Sequence, residues 1–118
     1  MLVTKYRKRA LAGIESTVET ALRAAARNGQ FELVEFGCGG GDHVHCVLRL
    51  EPTVSVAQVV RRLKQLTTLH LWAVEQKALR KYYWRKDRRL LWSSGYYCAT
   101  VGDVSKSTVL EYVRKQSA

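Results

Sequence analysis

The chain has 118 residues, 47% of them hydrophobic and 25% charged, with a single proline. That length suits one domain with an ordinary core, and that apolar content excludes intrinsic disorder as its main state. Twenty lysines and arginines against ten acidic residues leave a formal charge of +10, which points to a polyanionic partner, nucleic acid being the commonest, or more plainly to a basic surface kept for solubility. No apolar run nears the ~18 residues of a membrane span, and Glu15 and Glu19 interrupt the stretch where a signal peptide would be apolar. A soluble, cytoplasmic protein with one domain over residues 1–118 and no membrane contact is expected.

The elements follow in chain order. Residues 1–5 read as a short strand. From Arg9 to Asn28 the apolar positions Leu11, Ile14, Val18, Ala21, Leu22 and Ala25 keep the helical period, and Asn28-Gly29 ends that helix. Gln30 to Gly37 alternates in part and Val44 to Leu50 is apolar; the glycine-rich run Gly37 to Gly41 between them makes a hairpin. Ser55 is placed to cap a long helix running towards Trp84, with a break near Trp72. Leu91 to Val101 enters a last strand, Gly102-Asp103 punctuates, and Ser105 to Gln116 forms a final helix. Strand, helix, strand, strand, helix, strand, helix is the order of an α+β, ferredoxin-like (RRM-like) split β-α-β sandwich with an antiparallel sheet and an added C-terminal helix.

Several residues could carry chemistry. His43 and His45 stand two apart on a strand, so both imidazoles project from one face and can chelate a divalent metal; the plain alternative is a pair of surface histidines. Tyr112 and Gln116 are four apart on a helix and share a face, which can offer a nucleophile beside an amide ligand, or simply the border of an amphipathic helix. Cys46 and Cys98 sit in apolar stretches as small hydrophobes, and Cys38 lies near enough in sequence to His43 and His45 to raise a zinc site. Cationic residues crowd at Lys5 to Arg9, at Arg61-Arg62-Lys64 and from Arg80-Lys81 to Arg85-Lys86 and Arg88-Arg89, the last group interleaved with Tyr82, Tyr83, Trp84 and Trp92. Cations for phosphates mixed with aromatic faces for unpaired bases suit single-stranded nucleic acid.

The chain resembles the single-tyrosine transposases of the insertion-sequence 200/605 family, within the HUH nuclease superfamily. The resemblance rests on Thr4-Lys5-Tyr6-Arg7, Asp42-His43-Val44-His45, Leu63-Lys64 and Leu91-Trp92-Ser93-Ser94-Gly95-Tyr96-Tyr97, then on Thr100-Val101-Gly102 and Val109 to Gln116 with its Tyr-x-x-x-Gln. It implies a DNA transposase that cleaves and rejoins single-stranded DNA at element ends through a 5′-phosphotyrosine. Tyr112 would be the nucleophile, His43, His45 and Gln116 the metal ligands, and Mg2+ or Mn2+ the cation. Lys5, Arg7, Arg61, Lys64, Arg80, Lys81, Arg85, Lys86, Arg88 and Arg89 would contact DNA.

Further expectations are hairpin-ended DNA as partner, a homodimer with its catalytic helix exchanged through a hinge at Gly102, and nucleoid-associated activity in a prokaryotic cell. No nucleotide cofactor is expected, and the sequence has no GxxxxGK[ST] loop. Two other functions stay open: a non-catalytic or domesticated single-stranded nucleic-acid-binding protein, and a rolling-circle-type replication initiator.

Overall fold

A computed structural model describes residues 1–28, 31–51, 53–83 and 90–96. The expected final helix with Tyr112 and Gln116, the hinge at Gly102, Cys98, and the cations Arg85, Lys86, Arg88 and Arg89 lie outside the described residues.

The described elements are β1 (Leu2–Val3), a 3-10 turn (Lys5–Arg7), α1 (Glu15–Asn28), β2 (Phe31–Gly39), β3 (His43–Leu50), α2 (Val56–Val74) and α3 (Gln76–Arg80). The strands form an antiparallel sheet in the order β1-β3-β2. Residues 91–93 run antiparallel along the free side of β1. Thr4 bridges Trp92, Lys5 N donates to Leu91 O at 2.7 Å, and Ser93 N donates to Val3 O at 2.8 Å. That is the place of the fourth strand in a split β-α-β fold, so the expected α+β class holds.

One face of this sheet meets the helices. Leu2, Leu33, Val44, the α1 residues Val18 and Leu22, and the α2 residues Val59, Leu63 and Leu71 join one buried cluster. On α2 the buried positions Val59, Leu63, Thr67 and Leu71 recur every four residues, the spacing that lines one helix face. Ser55 caps α2 as expected, its Oγ accepting from Gln58 N at 3.2 Å. The interruption falls at Glu75 (φ −115°, ψ 36°) rather than Trp72. Trp72 stays helical because it is buried, with its indole N–H donating to Leu90 O at 2.9 Å. Beyond Arg80 the chain turns, and Tyr83 is buried with its hydroxyl donating to Lys5 O at 2.7 Å.

Two expected boundaries move. The first helix begins at Glu15, not Arg9, because Gly13 takes a left-handed φ of +82° that stops helix growth towards the N-terminus. Ala10 and Leu11 are buried all the same: the loop folds over the hairpin turn, where Leu11 N donates to Gly41 O at 2.9 Å. Apolar spacing alone therefore imitated two extra helical turns. In the hairpin, β2 extends to Gly39, leaving Gly40 (φ +61°) and Gly41 (φ +76°) as the turn. A bulge between Leu33 and Glu35 re-phases β2, so Phe31 and Leu33 point to the core before it, and Phe36 and Cys38 after it.

Gly41 carries two constraints at once. Its angles disfavour any side chain, and an added Cβ would lie 3.1 Å from Ala12 Cβ and 3.3 Å from Ala12 N. Gly13 has similar angles with nothing within 4 Å. Urea unfolding should show Gly41→Ala losing about 2–4 kcal/mol and Gly13→Ala about 1–2 kcal/mol. Equal losses would mean that the Ala12 contact yields without cost.

Candidate functional site

Alternation along β3 sorts its side chains. Val44, Cys46, Leu48 and Leu50 belong to the core cluster or pack against it, so His43 and His45 stand on the opposite face of the sheet, with Val47 and Arg49. Their ring centroids are 4.9 Å apart with the planes at 80°. His43 pairs across the sheet with Val3 on one side and Gly39 on the other, and His45 pairs with Gly37. Glycine at both β2 positions leaves no β2 side chain directly opposite either imidazole. His45 is only 5% exposed.

Asp42 holds His43 in place. Its Oδ1 lies 2.7 Å from His43 Nδ1, and its Oδ2 lies 3.6 Å from Arg7 Nε. The hydrogen bond from His43 holds the Asp42 carboxyl below the usual carboxylate range; partial burial opposes this, and the charge of Arg7 assists it. With Nδ1–H donating to a carboxylate, the lone pair of His43 resides on Nε2, the nitrogen left to bind a ligand. The Asp42 backbone is tied too, its carbonyl accepting from Thr4 N at 2.9 Å. Thr4 is fully buried, and its hydroxyl lies 2.6 Å from Lys8 O and 3.1 Å from Asp42 O.

Two imidazoles on one strand face are therefore brought together as expected. The Cys38 alternative is not: Cys38 pairs with Val44 and packs against the core cluster, on the sheet face turned away from His43 and His45. Burial, and secondarily the Glu15 carboxylate, push its thiol up to about 11, and burial pushes Cys46 up to about 12. Neither is poised to become a metal-binding thiolate. Among the described residues no group of three His, Cys, Asp or Glu side chains is placed to hold a metal ion.

The expected DNA contacts divide. Lys5 and Arg7 sit beside the histidine strand through the Arg7–Asp42 contact. Lys64 is partly engaged: its ammonium donates to Ser93 O at 2.9 Å and Gly95 O at 2.7 Å, and burial pulls its pKa below the ordinary lysine range. It therefore pins the 93–95 segment to α2. Arg61, Arg80 and Lys81 are exposed on the helical layer, Arg80 lying 5.9 Å from the Trp72 ring. The sheet separates that layer from the imidazole pair.

What sequence reasoning left without a role is the support around His43. An acidic residue directly before His-x-His at the mouth of a glycine turn is the signal that could have found it.

The chain shares its α+β architecture with a protein of Deinococcus radiodurans R1 whose crystal structure is described as that of a candidate transposase. The TM-score is 0.74, with 24% identity, over 99% of this chain and 87% of that one. The family model described as "Transposase IS200 like" matches residues 1–116. The transposase for insertion sequence element IS200 of Salmonella typhimurium LT2 is 31% identical over 113 residues, 95% of this chain and 70% of that protein. The Salmonella typhi transposase for the same element gives the same figures. The chain belongs to the IS200-like transposase family. No described helix is long and apolar enough to cross a membrane.

At pH 8, iodoacetamide should alkylate Cys38 and Cys46 at least about tenfold more slowly in the folded than in the unfolded protein. Peptide-resolved mass spectrometry reads this, and equal rates would contradict the burial described.

Proposed function

We propose that this transposase-family chain cleaves and rejoins single-stranded DNA with Tyr112 as nucleophile and with Mg2+ or Mn2+ held by His43, His45 and Gln116. The observation that carries the reading is the imidazole pair on the sheet face turned away from the helices, one ring oriented by Asp42. Two imidazoles and an amide oxygen, with positions left for water and phosphate, suit a hard divalent cation. The family match spans both Tyr112 and Gln116. When bound, the cation would polarise the scissile phosphate and offset the charge that builds on it.

The protein's own groups do the rest. A tyrosine hydroxyl titrates near ~10 and is a poor nucleophile at neutral pH unless its target is activated and aligned. Its oxygen bonds to phosphorus, the bond to the 3′-oxygen breaks, the phenolic proton is lost, and the 3′-oxygen leaves as a hydroxyl after gaining a proton. The 5′-phosphate stays esterified to Tyr112. One phosphodiester replaces another, so the freed 3′-hydroxyl, or a different one, can reverse the step without a nucleotide cofactor. Asp42 keeps Nε2 of His43 turned to its ligand throughout, and Arg7 braces Asp42. Cations on the chain contact phosphates of hairpin-ended DNA, in a cytoplasmic, nucleoid-associated reaction.

In the proposed active form two copies pair and exchange their C-terminal helices through the hinge at Gly102, a residue able to take angles closed to others. Each site then combines His43 and His45 of one protomer with Tyr112 and Gln116 of its partner.

Labelled hairpin DNA incubated with Mn2+ should yield a protein–DNA adduct that survives denaturation. Tyr112→Phe should abolish that adduct and leave DNA binding intact, whereas an undiminished adduct would overturn the nucleophile. Asp42→Ala should weaken Mn2+ binding by about 10- to 100-fold in a titration without DNA. An unchanged affinity would remove Asp42 from the site's support. Mixing Tyr112→Phe with a His43→Ala/His45→Ala variant should restore cleavage if the helices are exchanged, and activity staying at background would exclude exchange.

A further inference from the structure

Between β1 and the loop leading to α1, the chain holds strain from which the core gains little. Tyr6 (φ 61°, ψ 18°) and Arg7 (φ 50°) are the non-glycine residues with positive φ among the described residues, and they are consecutive. Left-handed angles are unfavourable for any residue with a Cβ, and glycine would satisfy the same turn with less strain. Burial of the ring does not compensate. Tyr6 is 71% exposed, more than any other exposed large hydrophobic among the described residues.

The turn is nonetheless clamped from several sides. Arg7 N donates to Thr4 O at 2.9 Å, and Lys5 N donates to Leu91 O at 2.7 Å. Lys5 O accepts from the buried Tyr83 hydroxyl, and Arg7 reaches Asp42. An aromatic ring is thus presented to solvent on a fixed, strained turn. Lys5 Nζ lies 5.4 Å from its centroid, and the Arg7 side chain, 67% exposed, follows it. Through Arg7 and Asp42 the turn connects directly to His43. Backbone strain kept at an exposed position beside a candidate site marks a functional constraint.

We infer that Tyr6 is a stacking platform for an unpaired base of the DNA strand entering the His43–His45 site, with Lys5 and Arg7 beside it for the flanking phosphates. The inference rests on single-stranded DNA being the ligand. A base offers a π-face whatever its identity, so such a platform holds the strand without reading its sequence. Because hydrogen bonds already hold the backbone of the turn, little backbone freedom is lost on binding.

The test uses the full chain in EDTA, so that binding is read without cleavage. Fluorescence anisotropy compares a hairpin carrying a single-stranded extension with the same hairpin made blunt. Tyr6→Phe and Tyr6→Trp should keep native affinity for the extended hairpin, whereas Tyr6→Leu and Tyr6→Gly should lose roughly 5- to 150-fold. None of the four should change affinity for the blunt hairpin. Tyr6→Gly should also leave the urea midpoint unchanged or raise it, since it relieves the strained angle while removing the ring.

Native-like binding of the extended hairpin by Tyr6→Leu would overturn the platform. So would an equal loss on both hairpins accompanied by a lowered midpoint for Tyr6→Gly, which would mark a structural role. If the native protein itself shows no preference for the extension, the single-strand reading falls together with the platform. If the preference exists and the Tyr6 variants keep it, only the platform falls.

Discussion

Asp42 is the point on which the site depends. Its carboxylate receives the Nδ1–H of His43 on one oxygen and faces Arg7 on the other, while its carbonyl receives the amide of Thr4. One residue thereby couples the orientation of a candidate ligand to the β1 end and to the strained turn after it. The coupling requires Asp42 to follow the hairpin turn directly, and the turn requires glycine at position 41, where the chain from Leu11 to Ala12 presses against it. The loop before α1, the glycine turn and the histidine strand form one connected arrangement. A distortion at Gly41 would be felt at His43 without touching either ring.

The sheet divides labour between its faces. Helices α1 and α2 cover the side where Val44 lies and bury Val18, Leu22, Val59, Leu63 and Leu71 against it. The other side presents the imidazole pair. That division was legible in the alternation of Asp42-His43-Val44-His45, because a period of two leaves no freedom once Val44 must be buried. The hairpin, the Ser55 cap and the long second helix were legible for similar reasons, each being set by local pattern or a local hydrogen bond.

The parts that were not legible depend on contacts distant in sequence. The bulge near Leu33 lets Phe36 and Cys38 face the core when strict alternation would have turned Glu35 inward. Ala10 and Leu11 are buried by packing over Gly41 rather than by lying on a helix. Lys64 looked like one more surface cation, yet its ammonium finds the carbonyls of Ser93 and Gly95. Nothing in the local sequence foretells a left-handed Tyr6. Clustered charge indicated a polyanionic ligand, but it could not separate cations that brace the fold from those beside the imidazole pair.

The central claim is that both imidazoles of β3 bind one divalent cation through ring nitrogens. Pulsed electron paramagnetic resonance of the Mn2+-loaded protein, with its three histidines labelled with nitrogen-15, tests it most directly. The account predicts hyperfine coupling to two histidine nitrogens, unchanged by His70→Gln and reduced to one by His43→Ala or by His45→Ala. Coupling to no histidine nitrogen, or to a single one in the native protein, would contradict it.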